Sequence, residues 1–125
     1  MRKKFLLIIL FVFLLLSVFF ILYFSIQTDR EYVRVEILNA TKTRDLESKF
    51  AEKLKNKKCD VIRMDSVQCD SFLHTVVVER TRKNKANARI VANILGCRSI
   101  FMEIDSTMNV DVTVIIGEDF KKYIK

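Results

Sequence analysis

A membrane-spanning N-terminal helix followed by a two-layer α+β sandwich is the fold class that this sequence predicts. Three observations lead there. Residues 5–26, FLLIILFVFLLLSVFFILYFSI, contain no charge, glycine or proline. The rest of the chain switches between periods of two and 3.6 in the order strand–helix–strand–strand–helix–strand–strand. The two glycines, Gly96 and Gly117, each directly follow an apolar run, where elements are expected to end.

The apolar run comes first. As a helix at about 1.5 Å per residue it spans roughly 33 Å, the thickness of a bilayer's hydrocarbon core. Its large apolar side chains favour insertion by roughly 6 to 10 kcal/mol in total. A cleaved signal peptide would have a shorter apolar region ending at a small-residue site, and YFSIQTDREY offers none. The run therefore reads as a retained single-pass anchor. Arg2, Lys3 and Lys4 precede it, and the flank after it is nearly balanced. The positive-inside rule then leaves residues 1–4 in the cytoplasm as a basic flank and everything after residue 26 outside. No lipobox-like cysteine follows, and no small-xxx-small spacing marks the run for tight helix pairing. Residues 27–31 make a short linker that holds the outer domain, residues 32–125, close to the membrane.

In the outer domain YVRVEIL (32–38) alternates, with Val33, Val35 and Ile37 on one face of a half-buried strand. NATKT is a turn, with Thr41 or Thr43 able to cap a helix. RDLESKFAEKLKNK places Leu46, Phe50 and Leu54 four apart on a charged helix, with acids leading and lysines closing as the helix dipole favours. CDVIRM (59–64) is a short second strand, DSVQCDSFLH a loop, and TVVVER (75–80) a third strand of central character. In the second helix, NARIVANIL, Ala88, Val91, Ala92 and Leu95 share a face, and Gly96 sits just past its end. SIFMEI is a fourth strand and VDVTVII (110–116) a fifth, buried on both faces. EDFKKYIK forms a last helical turn. The expected architecture is a mixed sheet of about five strands with two helices on one face, ferredoxin-like with an extra C-terminal strand. Both glycines mark places where the chain reverses.

The chain has 125 residues and a net charge of +7. Setting aside Arg2, Lys3 and Lys4 leaves 19 basic against 15 acidic side chains, +4 for the outer part. That is mildly basic, and beyond a membrane nucleic acid is not an expected partner. The three cysteines, Cys59, Cys69 and Cys97, fit no zinc spacing, and His74 is the single histidine. No metal or other cofactor is expected. With Cys59 at the far end of a hairpin strand and Cys69 near its tip, a bridge between them would exceed the geometric limit. Free, partly buried thiols are expected.

Three segments together, VRVEILNATKTRDLESKFAEKLKNKKCDVIRMD, TVVVERTRKNKANARIVANILG and VDVTVIIGEDF, resemble the C-terminal domain of LytR/CpsA/Psr (LytR-type) cell-envelope proteins. The resemblance covers nearly all of residues 32–123. Its specific parts are the N-x-T turn at Asn39 and Thr41 and the closing D-V-T-V-I-I-G-E-D-F. Two positions depart from the family pattern: Asp45 stands where the family often has glycine, and Lys58-Cys59 replaces a Gly-aromatic pair. The resemblance implies a bacterial chain and an envelope role. LytR-type proteins also carry a transferase domain that moves glycopolymers from a lipid carrier to the wall. These 125 residues leave no room for it, so that activity is not carried over.

Candidate chemistry is sparse. His74 could pair with Cys69 or Ser71, with Asp70 nearby, but all lie in one loop without an oxyanion-forming turn. No catalytic residues are assigned. Helix starts favour anions, so Arg80, Thr81, Arg82, Lys83 and Asn84 before the second helix, with Asn39 and Thr41 before the first, are the candidate contacts for a phosphorylated or carboxylated glycan. The sequence thus predicts a non-enzymatic, membrane-tethered envelope module that contacts assembly proteins or wall polymer, tethering raising the effective concentration. The alternative is a direct glycan-binding domain for peptidoglycan or an anionic wall polymer.

Overall fold

The structure is a computed structural model that describes residues 1–27, 32–55, 57–67 and 72–124. The chain divides into two compact units, Met1–Glu31 and Tyr32–Lys125. The first holds one helix, α1 (Arg2–Gln27), which takes in the basic residues as well as the apolar run. Within the stretch Arg2–Ser25 the most apolar 18 residues have a mean hydropathy of 3.4, with none of them buried inside the protein, and the helix is long and apolar enough to cross a membrane. Ser17 satisfies its hydroxyl inside the helix, donating to the Leu14 carbonyl at 2.8 Å, so its polar group stays paired in an apolar surrounding. The expected linker falls largely on residues 28–31, outside the described residues.

The second unit runs β1 (Val33–Asn39), α2 (Leu46–Leu54), β2 (Cys59–Ser66), β3 (Val76–Glu79), α3 (Ala86–Leu95), β4 (Ile100–Met102) and β5 (Val112–Ile116). A 3-10 turn, Phe120–Lys122, follows. The mixed five-stranded sheet with two further helices is the expected α+β fold. Its strand order is β2-β1-β5-β3-β4. β1 and β2 pair in parallel around α2, β3 and β4 pair in parallel around α3, and β5 lies parallel to β1 and antiparallel to β3. The element order is that of the ferredoxin-like type, but the pairing differs from it, because each helix connects strands that are direct neighbours. The expected β2–β3 hairpin does not form, since two strands separate them. Side-chain character explains this. β2 carries Asp60, Arg63 and Asp65 and is exposed over most of its length, as suits an edge. β5, with Val112, Thr113, Val114 and Ile116 buried, belongs in the centre.

The core lies between the sheet and the helices. Leu46, Phe50 and Leu54 from α2 and Ala88, Val91, Ala92 and Leu95 from α3 pack on Val35, Ile37, Val77, Val112, Val114 and Ile116. These are the apolar stripes of the sequence, each large side chain contributing about 1.5–3 kcal/mol on burial. Cys59 and Cys97 are buried free thiols; Cys69 lies outside the described residues.

The glycines do different jobs. Gly96 caps α3 with φ 77°, the left-handed conformation expected there. Gly117 has no positive φ. A side chain on it would come within 2.5 Å of the His74 backbone, because the segment before β3 crosses the end of β5. Glu118 N–H donates to the Phe72 carbonyl at 2.9 Å, and Gly117 N–H to Thr75 Oγ1 at 3.0 Å. The non-glycine residues with positive φ among those described are Asp45 (63°), Lys58 (65°) and Lys85 (58°). The first two are the positions where the family pattern favours glycine.

Opposite signs are therefore expected at two sites. Gly117→Ala should destabilise the outer unit by about 1–3 kcal/mol through overpacking against backbone, whereas Lys58→Gly should stabilise it by about 0.5–1 kcal/mol by relieving a left-handed residue. Urea unfolding of the detergent-solubilised chain, followed by tyrosine fluorescence, measures both.

Candidate functional site

The two helix starts named from the sequence sit at opposite ends of the sheet. Asn39 pairs with Ile116 at one end of β5, and Glu79, just before the basic segment, pairs with Val112 at the other. The strands thus keep Asn39 and Thr41 apart from Arg80–Asn84.

At the first end Asn39 is 2% exposed. Its Nδ2 donates to the Thr43 carbonyl at 2.7 Å and to Glu47 Oε2 at 3.0 Å. Its Oδ1 accepts from Thr41 N at 3.1 Å and Thr41 Oγ1 at 2.7 Å. The N-x-T motif is thus a bracket that folds the turn, as an Asx-type residue does. The residue at the helix start proper is Asp45, which makes no side-chain cap bond. The expected caps Thr41 and Thr43 act one turn earlier.

At the second end the organising group is Glu79, which sequence reading passed over. Its side chain is fully buried. Oε2 accepts from Thr81 N at 3.2 Å, Thr81 Oγ1 at 3.3 Å and Arg82 N at 3.4 Å. Oε1 accepts from Asn87 N at 3.0 Å and Ala88 N at 3.2 Å. The anion expected at the start of α3 is thus supplied from within the chain, and it uses the amide groups that an outside anion would need. The signal available in the sequence was an acid at the end of an otherwise all-valine strand, two residues before a threonine.

The candidate side chains divide accordingly. Arg80 points back across the sheet: Nε donates to Thr113 Oγ1 at 3.1 Å, and Nη1 lies 3.4 Å from Glu103 Oε2. Thr113 Oγ1 passes the bond on to the buried Glu36 at 3.2 Å, and Arg63 approaches the other Glu36 oxygen at 3.7 Å. Asn84 accepts from Ala86 N, and Thr81 accepts from Asn87 Nδ2. Arg82 and Lys83 are exposed. Beside them Arg34 grips Asp111 through Nη2 at 3.1 Å and Nε at 3.3 Å. Burial alone would raise the Asp111 carboxyl, but the hydrogen bonds and charge of Arg34, aided by Arg82, hold it below the ordinary range.

Fitting this picture, residues 32–120 match the family described as LytR cell envelope-related transcriptional attenuator, LytR_C. The chain belongs to the LytR_C family. No curated protein and no solved structure matches it. The LytR_C match spans the whole sheet and both helices, and it ends within the 3-10 turn.

A second cluster lies at the far end of the LytR_C unit. His74 Nδ1 is 3.6 Å from Asp119 Oδ2, and the other Asp119 oxygen accepts from Thr75 N and Oγ1 at 2.8 Å each. Asp119 is the partner of His74 that the sequence hid, being 45 positions away; Cys69, Asp70 and Ser71 lie outside the described residues. Cys97 Sγ donates to the Thr75 carbonyl at 3.4 Å, and burial pushes its thiol pKa up, which keeps it protonated and a poor nucleophile at neutral pH. Among the described residues no group of three or more His, Cys, Asp or Glu is placed to hold a metal. Burial, followed by the nearby Cys97 and Asp119, raises the Tyr123 phenol to about 12.

Two outcomes follow. Glu79→Ala removes the acceptor of four backbone N–H groups, that of Ala88 fully buried, and should cost about 3–5 kcal/mol in chemical denaturation, with Glu79→Gln intermediate because it keeps one acceptor oxygen. An absorbance titration should show one tyrosine ionising near pH 12, missing in Tyr123→Phe. Because the folded phenol holds its proton above the unfolded value of about 10, stability should fall as pH rises from that value toward the folded one.

Proposed function

We propose that the chain is a non-enzymatic, membrane-tethered module of the bacterial cell envelope whose LytR_C unit docks another envelope protein outside the membrane. The LytR_C match behind an apolar helix supports the envelope setting. The observation that carries protein contact is the unequal division of the sheet surface facing away from the helices. On the β2–β1–β5 side its polar groups are engaged with one another, from Arg63 through Glu36 and Thr113 to Arg80. On the β4 side Leu73 and Phe101 are 62% and 57% exposed. Phe101 stands next to Val78 in register, and with Phe72 and Val76 they line one shallow groove. A polar glycan would find its hydrogen-bonding groups already engaged, whereas an apolar protein surface would gain burial. Tethering helps, since confinement near the membrane makes a weak contact effective.

A photo-crosslinking residue placed at Phe101 or Leu73 in living cells should give one discrete protein adduct. The same residue at Lys121 should not. The adduct at Phe101 should disappear when Leu73→Asp is added. A diffuse adduct that collapses on muramidase digestion would instead establish the glycan reading, and equal labelling at Lys121 would sink specific docking altogether.

A further inference from the structure

We infer that the end of the LytR_C unit at which β1 begins is a docking surface for anionic phospholipid headgroups, formed by Lys57, Lys58, Arg82, Lys83 and Lys85. The inference rests on α1 being a membrane anchor and is otherwise independent of the protein contact proposed above.

Topology brings two basic loops to one end of the sheet. Val33 N–H donates to the Lys58 carbonyl at 3.0 Å, which fixes the α2–β2 turn against the first residue of β1. Asp111 N–H donates to the Arg34 carbonyl at 2.9 Å, and Arg80 N–H to the Asp111 carbonyl at 2.9 Å. The loop that begins at Arg80 therefore lies at the same end. Three strand spacings, roughly 14 Å, separate the two loops. Lys57, Lys58, Arg82 and Lys83 are exposed, and Lys85 is half-buried.

The acids at this end mostly have partners within the chain. Glu79 is sealed by five hydrogen bonds from the backbone and Thr81. Asp111 is held by Arg34 and Glu103 by Arg80. Asp105 accepts from Thr107 N at 3.0 Å and Thr107 Oγ1 at 2.6 Å. Asp60 and Glu52, which share a groove with Tyr32, remain exposed against Lys55 and the five cations named above. An outward positive field results because Glu79 is buried, Asp111 and Glu103 are paired with arginines, and, among the described residues, the lysines are left unpaired at the surface.

Headgroups are favoured over a soluble polymer for three reasons. The cations sit on two separated loops, which suits a charged plane rather than a strand or a pocket. Only five residues, 28–32, lie between Gln27 and Val33, so for an anchored chain the membrane is an extended anionic surface always within its neighbourhood. Tyr32, adjoining β1, is 63% exposed, and its half-apolar ring suits the interface. Basic segments beside a membrane bind anionic lipid in this additive, salt-sensitive way.

The test uses the full chain in nanodiscs of phosphatidylcholine, with or without roughly 30% phosphatidylglycerol, read by hydrogen exchange. Co-purification with the disc checks the anchor first; its failure would defeat the tethering reading itself. With the anchor in place, residues 57–59 and 80–85 should exchange about tenfold more slowly on anionic discs, and about 0.5 M salt should abolish the difference. Reversal of Lys57, Lys58, Arg82 and Lys83 to Glu should abolish it too, while Lys121→Glu with Lys122→Glu, on the turn beyond the other end of β5, should preserve it. Equal exchange on both discs, persistence in high salt, or equal loss in the control variant would overturn the inference. So would protection that requires added anionic wall polymer on purely phosphatidylcholine discs.

Discussion

β5 is the strand on which both halves of the outer unit depend. The β1–α2–β2 and β3–α3–β4 segments are each parallel pairs closed by one helix, and they run in opposite directions. β5 joins them by accepting a parallel neighbour on one side and an antiparallel one on the other. It also follows the other four strands in sequence, so the two pairs cannot merge into one sheet until β5 is in place. The long-range contacts formed there have large loop-closure costs, which the burial of Val112, Val114 and Ile116 against both helices offsets. Gly117 follows at once because the segment before β3 must pass over the end of this central strand at backbone contact distance.

Burying the strand ends creates a second constraint. β3 finishes in the interior, where α3 begins, and the amide groups of that helix start would be unsatisfied without an acceptor. Glu79 fills the role from the strand itself. The same carboxylate fixes the course of Thr81 and Arg82, so the basic loop is held in place by a buried negative charge. Charge separation at this end is thus a product of folding. Acids turn toward backbone amides and arginines, and the long lysine side chains, which are costly to bury, turn outward.

The legible parts were those governed by local periodicity. Leu46, Phe50 and Leu54 could be placed on one helix face, and Val33, Val35 and Ile37 on one strand face, because spacing alone determines which side chains share a surface. Strand partners were not legible in the same way. The short run between β2 and β3 reads as a hairpin loop, yet it carries the chain past two strands, and the charges that mark β2 as an edge become informative only when set against the apolar β5. At the candidate site the basic residues were visible in the sequence, but the carboxylate that positions them was not. Glu79 looked like one more strand residue, and Asp119, which orients His74, lies on the far side of α3, β4 and β5. Groups that act across such separations leave no periodic trace.

The two departures from the family pattern show how a sequence can keep a backbone while giving up the residue best suited to it. Asp45 and Lys58 both sit at positive φ, where glycine is least strained. Aspartate is among the few side chains that visit this region readily, and its place before α2 adds a favourable charge at the helix N-terminus. Lysine has no such intrinsic compatibility, so its backbone cost must be offset elsewhere. Lys58 lies in the turn whose carbonyl receives the first amide of β1, at the end where exposed cations gather. A glycine there would relax the turn and remove one of those charges. A lysine keeps the charge at the cost of strain, which is the trade expected where a protein surface has an electrostatic task as well as a structural one.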